Sequence, residues 1–435
     1  MLAADGTAFA PYNHSRLVMI LGGTLERSVI RRRSVSARKV TKIGVGGFVC
    51  RQTGFVSYTL WDCPEEGDPY FFVPLCLRFL IIKAAMERPA YRIIDANFNR
   101  AREALRVMED YCRFALNCGS LSGRAKEMRH QLSGAIARLN AEQLLANRDT
   151  ASDVGIGQIV ENAIGRADLK DALTAACKRL PEALRVLTET IRPADTAVAD
   201  QIERLRYAGY SLEKDIALFA DTQNRFSKVR LYVLISSNLP VDVFSLANDC
   251  IAGGADCLQL RAKDIDDDRY FAIAGEFVKI CKDAGVPAII NDRVDIAVAS
   301  GADGVHLGQN DLPLEQARKI QMTPLILGKS THSPAQLTSA IAELPTYVSL
   351  GPVFATPTKP DTKPVGIDYV KQALPILSGT GICSVAIGGI TQDNIDAILR
   401  AGAQAIAVSS AVAASLDPTA ACRKLKEKIT AFFDR

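Results

Sequence analysis

Beyond residue 228 the chain repeats one pattern eight times: a short apolar run rich in β-branched residues, followed by a segment long enough for a helix. Near-continuous apolar runs are typical of parallel strands that are buried on both faces and joined by crossover helices. Eight such units within residues 228–435 predict a (β/α)8 barrel, the TIM-barrel fold. An open doubly wound sheet is disfavoured, because it would have fewer strands and usually carries a glycine-rich phosphate loop after the first one. The runs occupy residues 230–235, 257–261, 288–291, 304–307, 325–328, 347–350, 384–387 and 405–408.

Residues 86–222 carry a different period, with apolar residues three and four positions apart in the stretches 93–116 and 168–193. This spacing is that of amphipathic helices and predicts an all-helical domain. The sequence EALRV occurs at 103–107 and again at 182–186, which indicates two related helices. In each copy an arginine, Arg106 or Arg185, lies three positions after a glutamate. That arrangement fits either a surface ion pair or a paired anion site.

The first 85 residues show no sustained helical or strand period, and they contain glycine clusters and the basic run 31–33. We expect residues 1–85 to form a poorly ordered extension. Met86 stands directly before the first well-patterned segment. An alternative is therefore that translation starts there and that residues 1–85 are not part of the protein.

The charge balance argues against several classes of partner. Lysine and arginine total 52 and aspartate and glutamate total 48, so nothing global favours a nucleic acid or an anionic membrane surface. No apolar stretch is long enough and free enough of charge to span a bilayer. The 11 cysteines lack metal-ligand spacing, which predicts free thiols in the reducing cytoplasm. We expect small molecules as partners and leave open whether the chain forms a homo-oligomer.

Polar and charged residues stand where the predicted strands end, and in a (β/α)8 barrel those ends meet at one rim. After the second strand, Gln259, Arg261 and Lys263 alternate along the chain and so point to the same side, where they could hold a phosphate chain. Asp292 and Asp311 follow the third and fourth strands and offer the hard oxygen ligands that Mg²⁺ prefers. Either aspartate alone would fit a loop cap. Together with the cations, they indicate a metal-assisted diphosphate site.

The loop GPVFATPTKP, residues 351–360, follows the sixth strand and reaches the same rim. Pro357 and Pro360 restrict the backbone of this loop. We therefore expect Thr356, Thr358 and Lys359 to meet an anion at a lower entropic cost than residues of a flexible loop would.

The last two strands end in the glycine pair 388–389 and in the serine pair 409–410. Barrels of this class commonly bind a phosphate at this place through backbone amides and a short helix. The rim thus offers two anion sites, one with cations and a metal and one with amides and hydroxyls. Two phosphorylated substrates are the natural expectation.

Taken in this order and spacing, the strand-end motifs resemble thiamine-phosphate synthase. The motifs are QLRAK at 259–263, ND at 291–292, GVHLGQND at 304–311, LGKSTH at 327–332, GPVFATPTK at 351–359, IGGI at 387–390 and SS at 409–410. The resemblance covers nearly all of residues 228–430 and implies a transferase that depends on Mg²⁺. In that family hydroxymethylpyrimidine diphosphate loses its diphosphate, and the nitrogen of hydroxyethylthiazole phosphate attacks the carbon to give thiamine phosphate.

The resemblance also implies roles for individual residues. Asp292 and Asp311 would bind Mg²⁺. His306 and His332 would be structural or orienting, since the reaction requires no general base. The pyrimidine diphosphate would be held by Gln259, Arg261, Lys263, Asn291, Ser330 and Lys359, among which Arg261, Lys263, Ser330 and Lys359 would act in catalysis. The thiazole phosphate would be held by Thr356, Thr358, Gly389, Ser409 and Ser410.

Three stretches of the helical segment, at 92–114, 147–155 and 178–189, resemble the domain that is sometimes fused upstream of this synthase and assigned hydroxymethylpyrimidine-phosphate kinase activity. If the domain phosphorylates, Arg106, Arg148 and Arg185 are candidates for phosphate contacts. Asp149 or Asp153 would then be candidate metal ligands. Arg148 and Asp149 fit a turn with a surface ion pair equally well.

Two alternatives remain at this stage. The barrel could be a thiazole tautomerase, which only moves a proton and would use His332 as its general acid or base. The Gln259, Arg261 and Lys263 set argues against this alternative, because a tautomerase has little use for a diphosphate clamp. The helical domain could be a dimerisation module without catalytic activity.

Overall fold

This computed structural model describes residues 45–49, 56–60, 86–155, 165–237, 242–263, 265–356 and 362–434. The chain divides into two units, Met1–Leu80 and Ile81–Arg435. In the first unit, strands β1 (Val45–Val49) and β2 (Val56–Leu60) pair antiparallel. The sequence analysis did not predict these two strands. The rest of the predicted poorly ordered extension lies outside the described residues.

The second unit begins with a helical region, as predicted. Side-chain caps start three of its helices: Asn140 accepts from the Gln143 amide, Asp168 from the Asp171 amide and Asp195 from the Val198 amide. Apolar stripes on the helices pack against one another, with Leu105, Met108 and Leu184 almost completely buried. The helices are α1 (Arg88–Asp110), a π-helical turn (Tyr111–Ala115), α2 (Gly119–Ala137), α3 (Ala141–Ala146), α4 (Leu169–Ile191) and α5 (Thr196–Phe226).

Eight parallel strands follow and close into a barrel in the order β10-β3-β4-β5-β6-β7-β8-β9, which confirms the predicted fold class. The strands are β3 (Leu231–Ser236), β4 (Cys257–Arg261), β5 (Ala288–Asn291), β6 (Gly304–Leu307), β7 (Ile326–Thr331), β8 (Tyr347–Leu350), β9 (Cys383–Ile387) and β10 (Ala405–Val408). The helices between and after them are α6 (Val243–Ala252), α7 (Asp267–Asp283), α8 (Val294–Ser300), α9 (Leu314–Ile320), α10 (Pro334–Ala342), α11 (Gly366–Leu377), α12 (Ile395–Arg400), α13 (Ser410–Ala413) and α14 (Pro418–Phe433).

The strand bounds differ from the predicted runs mainly at β7. The sequence pattern ended this strand at residue 328, but it continues through Thr331, because Ser330 and Thr331 pair with Ser349 and Leu350 of β8. The backbone ladder thus includes three polar residues that an apolar pattern leaves out. Ser330 is consequently held by a strand and not by a loop.

The barrel interior has its own apolar cluster, which includes Tyr232, Ile289, Ile326 and Tyr347. Further towards the carboxyl ends of the strands, inward positions become polar, and Gln259, Asn291, His306, Ser330 and Ser349 are all buried there. Because strand residues alternate between the two faces, these polar residues share the inward face with the residues two positions before them, such as Cys257 before Gln259 and Ile289 before Asn291. The interior is therefore apolar towards its amino-terminal end and polar towards its carboxyl-terminal end.

Two further predictions concern the chain as a whole. The eight cysteines of the described part are free thiols, as predicted, and seven of them are buried. Across the described helices, none combines the length and the apolar character that a membrane crossing requires. The remaining cysteines, Cys50, Cys63 and Cys76, lie outside the described residues.

Candidate active site

A cavity opens at the carboxyl ends of the barrel strands and brings together residues that are spread over the sequence from Leu234 to Ser410. His306 and His332 contribute to its wall. Thr358 and Lys359 lie outside the described residues, as do Pro357 and Pro360. The predicted site residues that line the cavity are Gln259, Arg261, Asn291, Ser330, Thr356, Gly389, Ser409 and Ser410.

Lys263, Asp292 and Asp311 form a charged group after strands β4, β5 and β6. The Lys263 ammonium lies 3.5 Å from Oδ2 of Asp292, and the Asp292 and Asp311 carboxyl groups are within hydrogen-bonding reach of each other. Oδ2 of Asp311 also accepts a hydrogen bond from the Gly308 amide at 2.6 Å. Burial, and then the neighbouring Asp311, raise the pKa of Asp292, while Lys263 opposes this shift. The two acidic groups are thus close enough to share one cation.

The Asp292 backbone is unusual, because its φ of 64° lies in the left-handed region that side chains with a Cβ rarely adopt. The Asp292 amide donates to the His306 carbonyl oxygen at 2.8 Å, which ties this turn to strand β6. Backbone strain of this kind persists where the surrounding structure holds it and is common at functional sites. The fold therefore fixes the Asp292 carboxylate relative to its neighbours.

The acidic pair meets the requirements of a magnesium ion. Mg²⁺ is commonly bound through one or two carboxylates, with water and substrate phosphate as the other ligands. Within the described ranges, no group of three or more His, Cys, Asp or Glu side chains is placed to hold a metal. Two neighbouring carboxylates are the number that such a magnesium site uses.

A chain of hydrogen bonds crosses the barrel interior and ends in the cavity. The Gln259 amide nitrogen donates to the Tyr232 hydroxyl at 2.6 Å, and the Tyr232 and Tyr347 hydroxyls are 2.9 Å apart. His306 continues the chain, with Nδ1 2.9 Å from the Tyr347 hydroxyl and Nε2 2.9 Å from Oγ of Ser330. We call these five residues the interior network. Burial raises the pKa of both tyrosines well above the usual value, so both hydroxyls stay protonated.

Gln259 is the one member of the interior network with an unsatisfied polar atom among the described residues. Its side chain is 2% exposed, and its amide oxygen Oε1 has no hydrogen-bond partner. A buried carbonyl oxygen without a donor costs about 1–3 kcal/mol, so such an atom calls for a specific explanation. Because Gln259 lines the cavity, a ligand with an N–H group would satisfy this oxygen.

The opposite wall of the cavity consists of the glycines after β9 and the serines after β10. Gly389 has a φ of 61°, and a Cβ at this position would overlap the Ala355 carbonyl oxygen and the Phe354 side chain. Ser409 donates through its hydroxyl to the Leu234 carbonyl oxygen at 2.9 Å, and Ser410 begins helix α13. A glycine at 389 thus allows the loop after β8 to approach the backbone closely.

In the helical region, a second cleft is lined by the first turns of α1 and by residues 148–153. Arg148 makes two hydrogen bonds to the buried Asp95 carboxylate, at 2.6 and 2.7 Å. Arg92 donates to the Asp149 carbonyl oxygen at 3.1 Å, and Arg88 contacts the Asp149 side chain at 3.5 Å. Arg148, Asp149 and Asp153 therefore lie in one cleft.

The other two arginines singled out in this region make ion pairs with glutamates of the helices. Arg106 lies 3.4 Å from Glu109, and Arg185 lies 2.7 Å from Glu189 and 3.8 Å from Glu203. Neither arginine lines the cleft at residues 148–153. Both arginines thus form ion pairs, but their partners in these pairs differ from Glu103 and Glu182, the glutamates that the EALRV repeat had suggested.

Comparison with known proteins gives two family matches. The family described as thiamine monophosphate synthase matches residues 231–412, and the ThiD2 family matches residues 92–215. A thiamine-phosphate synthase of Thermosynechococcus vestitus is 38% identical over 340 residues, which is 78% of this chain and 95% of that protein. The chain belongs to the thiamine-phosphate synthase family. It is therefore a transferase of thiamine biosynthesis, and this membership favours the synthase over the tautomerase alternative.

Other thiamine-phosphate synthases show a similar extent of likeness. The one from Synechocystis sp. is 37% identical over 339 residues, covering 78% of this chain and 96% of that protein. Among solved structures, thiamine phosphate pyrophosphorylase from Pyrococcus furiosus is 29% identical and covers 48% of this chain and 98% of its own, with a TM-score of 0.44.

Two residues of the interior network escaped the sequence analysis, Tyr232 and Tyr347. Both lie within apolar runs and were interpreted as core residues, which their burial supports. Only their inward orientation, opposite Gln259 and His306, shows that their hydroxyls join the interior network. A tyrosine inside an otherwise apolar inward-facing series is the signal that could have revealed them.

Proposed function

We propose that the mouth of the barrel joins hydroxymethylpyrimidine diphosphate to hydroxyethylthiazole phosphate, giving thiamine phosphate and diphosphate, and that the reaction depends on Mg²⁺. The observation that carries this proposal is the convergence of Gln259, Arg261, Asn291 and Ser330 in one cavity with Gly389, Ser409 and Ser410 on its other wall. Asp292 directly follows Asn291 of the cavity wall in the chain, and it contacts Lys263 and Asp311. Such a mouth offers each of two phosphorylated substrates its own anion site.

On one wall, the buried Oε1 of Gln259 would accept a hydrogen bond from the amino group of the pyrimidine. Arg261, Lys263 and Lys359 would hold the diphosphate, with Asn291 and Ser330 as neutral hydrogen-bonding groups. The bond between the pyrimidine methylene carbon and the diphosphate oxygen breaks, and negative charge collects on the departing diphosphate. Mg²⁺ bound at Asp292 and Asp311 would neutralise part of this charge.

On the other wall, Thr356, Thr358, Gly389, Ser409 and Ser410 would hold the thiazole phosphate. The thiazole nitrogen attacks with its own lone pair and forms the new carbon–nitrogen bond, so no general base has to remove a proton. This agrees with the geometry of the two histidines. His306 is engaged in the interior network, and Nδ1 of His332 donates to the Gly351 carbonyl oxygen.

The test is the rate of thiamine phosphate formation by the full-length Asp292→Asn variant with both phosphorylated precursors and Mg²⁺. Removing a group that stabilises the leaving diphosphate should lower the rate by about 10²-fold or more. Asp268→Asn is the matched control, since Asp268 is exposed at the start of α7 and bonds only the neighbouring Arg269 amide. If Asp292→Asn stays within about threefold of the control, the proposed site is wrong.

We further propose that the helical domain phosphorylates hydroxymethylpyrimidine phosphate with ATP, which would supply the diphosphate that the barrel consumes. The match to the ThiD2 family over residues 92–215 supports this proposal. Phosphoryl transfer needs cations that hold phosphate and carboxylates that hold Mg²⁺. The cleft at residues 148–153 contains both kinds of group, with Arg88, Arg92 and Arg148 beside Asp149 and Asp153.

This second activity is tested by ATP-dependent phosphorylation of hydroxymethylpyrimidine phosphate by the full-length chain. Arg148→Lys should lower the rate about 10-fold or more, because a lysine cannot reproduce the two-pronged geometry of the guanidinium group. Arg138→Lys, at the end of α2 and outside the cleft, is the control. Absence of turnover in the unsubstituted chain, together with a dimer by light scattering, would instead favour a dimerisation module.

A further inference from the structure

The last turn of helix α5 closes the amino-terminal end of the barrel. Phe226, the final residue of α5, is 1% exposed and belongs to the apolar cluster inside the barrel rather than to the helical core. Its ring stacks on Tyr347 with 4.2 Å between ring centres and an angle of 7°, and it meets Tyr232 edge to face at 6.2 Å. A residue of the helical segment thus packs directly on two members of the interior network.

Polar contacts fix this turn of α5 across the strand starts. The Gln223 amide nitrogen donates to the Thr346 carbonyl oxygen at 2.7 Å, and the Gln223 amide oxygen accepts from the Cys383 thiol at 3.2 Å. Arg225 pairs with Asp303 at 3.3 Å. Thr346, Cys383 and Asp303 lie at the amino-terminal ends of β8, β9 and β6, so three strands hold the position of Phe226.

From Tyr347 the contacts continue to the cavity. The His306 ring stacks on the Tyr347 ring, with 5.5 Å between the ring centres. Nδ1 of His306 forms a hydrogen bond with the Tyr347 hydroxyl, and Nε2 forms one with the Ser330 hydroxyl. Because the Gln259 amide nitrogen can only donate, Tyr232 can donate to Tyr347 and Tyr347 to His306. Both ring nitrogens of His306 can take either role, and when Tyr347 donates to Nδ1 the His306 proton is on Nε2. In that tautomer His306 donates to Ser330, and the Ser330 hydroxyl hydrogen is available to a ligand.

We propose that Phe226 is a positioning residue for the barrel's active site: by stacking on Tyr347 it sets the orientation of His306 and, through it, of the Ser330 hydroxyl. This inference rests on the proposed role of Ser330 in holding the pyrimidine diphosphate. The helical domain is then part of the synthase, because its last helix supplies the side chain against which the interior network is aligned. Small displacements of a group that contacts substrate lower rates strongly.

The experiment compares two leucine variants of the full-length chain, Phe226→Leu and Phe219→Leu. Both replace a buried phenylalanine of α5 at the contact with the barrel, but Phe219 lies against Gly381 and belongs to the other core cluster. Unfolding by urea verifies that both variants are folded under assay conditions. Phe226→Leu should lower kcat about 10-fold at an unchanged KM for the thiazole phosphate, whereas Phe219→Leu should stay within about twofold.

A spectroscopic readout separates positioning from a merely structural role. The chain has four histidines, so the ring nitrogens of His306 can be assigned by nitrogen NMR with a His306→Gln reference. In the unsubstituted chain the Nε2 of His306 should carry the proton, and Phe226→Leu should shift this signal towards a mixture of tautomers. Phe219→Leu should leave it in place. An unshifted His306 signal in folded Phe226→Leu overturns the proposal.

The double variant distinguishes failure of this inference from failure of the proposed site. If Phe226 acts through Ser330, Phe226→Leu should lower kcat little further in a Ser330→Ala background, because coupled residues are not additive. If Ser330→Ala is slow and Phe226→Leu is as fast as the unsubstituted chain, only the positioning role is wrong. If Ser330→Ala itself retains full activity, both the role of Ser330 and the inference fail.

Discussion

Gly328 leaves room inside the barrel for two members of the interior network. A Cβ at this position would lie 2.5 Å from Nδ1 of His306 and closer still to the Tyr347 ring. Real side-chain contacts are never this short, so any other residue at 328 must displace the histidine, the tyrosine or the strand. The positions of His306 and Tyr347 thus depend on the absence of a side chain at residue 328.

Gly328→Ala should therefore lower both stability and activity. Overpacking of a tight core typically costs about 1–3 kcal/mol, and displacement of His306 should slow the synthase reaction about 10-fold or more. Gly275→Ala is the control, because Gly275 lies in helix α7 with open space around its Cβ position. The control should gain about 0.5–1 kcal/mol from its better helix propensity. Equal unfolding midpoints and rates for the two variants would contradict the packing argument.

The buried thiols lead us to expect that the stability of the protein depends on pH. Burial raises the pKa of Cys112 and of Cys281 from 9.0 to about 12. Between these values the unfolded chain has lost the thiol proton and the native chain has kept it. The unfolded state then binds fewer protons, so stability falls as the pH rises above about 9, by up to about 1.4 kcal/mol per pH unit for each thiol.

Urea unfolding of the unsubstituted chain and of Cys112→Ala, at several pH values above neutrality, measures this effect. The loss of stability per pH unit should be smaller in Cys112→Ala, because one titrating group is gone. Leu132→Ala also creates a cavity in the helical core but removes no titrating group, so its pH slope should equal that of the unsubstituted chain. Identical slopes for all three proteins would show that the Cys112 thiol does not contribute.

At the scale of elements, the apolar runs were sufficient to predict the barrel and its strands, because parallel strands buried on both faces leave a clear sequence pattern. Because the carboxyl ends of barrel strands meet at one rim, the sequence also predicted that Gln259, Asn291, Ser330 and Ser409 lie together, and all four line the cavity. Three features could not be predicted. The hydroxyls of Tyr232 and Tyr347, the left-handed backbone of Asp292 and the docking of Phe226 all depend on contacts between segments far apart in the sequence.

In a (β/α)8 barrel, residues at the amino-terminal ends of the strands contribute mainly to stability, and residues at the carboxyl-terminal ends carry out the chemistry. Asp256 tests this division, because its carboxylate accepts from the Arg230 and Leu231 amides at 2.9 and 2.8 Å and pairs with Lys426 of α14. Asp256→Asn should lower the free energy of unfolding by about 1–3 kcal/mol while kcat stays within about twofold. Asp266→Asn, whose side chain makes no capping bond to α7, should change neither quantity. A folded Asp256→Asn variant with a strongly reduced kcat would contradict the division.

At the scale of the whole molecule, the helical cleft and the barrel mouth are separated. Gly119, at the start of α2, donates to the Gly379 carbonyl oxygen of the barrel, whereas the cleft runs along α1 from Arg88 to Glu103. In addition, α5 meets the amino-terminal end of the barrel, and the cavity opens at the carboxyl end. A diphosphate made in the cleft would have to travel through solvent.

Isotope dilution measures this consequence of the proposed kinase activity. The full-length chain receives labelled hydroxymethylpyrimidine phosphate, ATP and thiazole phosphate, with increasing amounts of unlabelled hydroxymethylpyrimidine diphosphate. The label in thiamine phosphate should fall in proportion to the dilution, because both diphosphates mix before they enter the barrel. Label that stays undiluted would indicate direct transfer between the two sites and contradict the geometric argument.

The central claim is that the barrel mouth binds the departing diphosphate together with a metal at Asp292 and Asp311. The most direct measurement is a crystal structure of the full-length chain with diphosphate and Mn²⁺ in place of Mg²⁺, located by the anomalous scattering of manganese. We expect the strongest manganese peak between the two carboxylates, with diphosphate oxygens completing its shell and Arg261 and Lys263 on the diphosphate. Manganese and diphosphate bound elsewhere, with Asp292 and Asp311 contacting neither, would contradict the account.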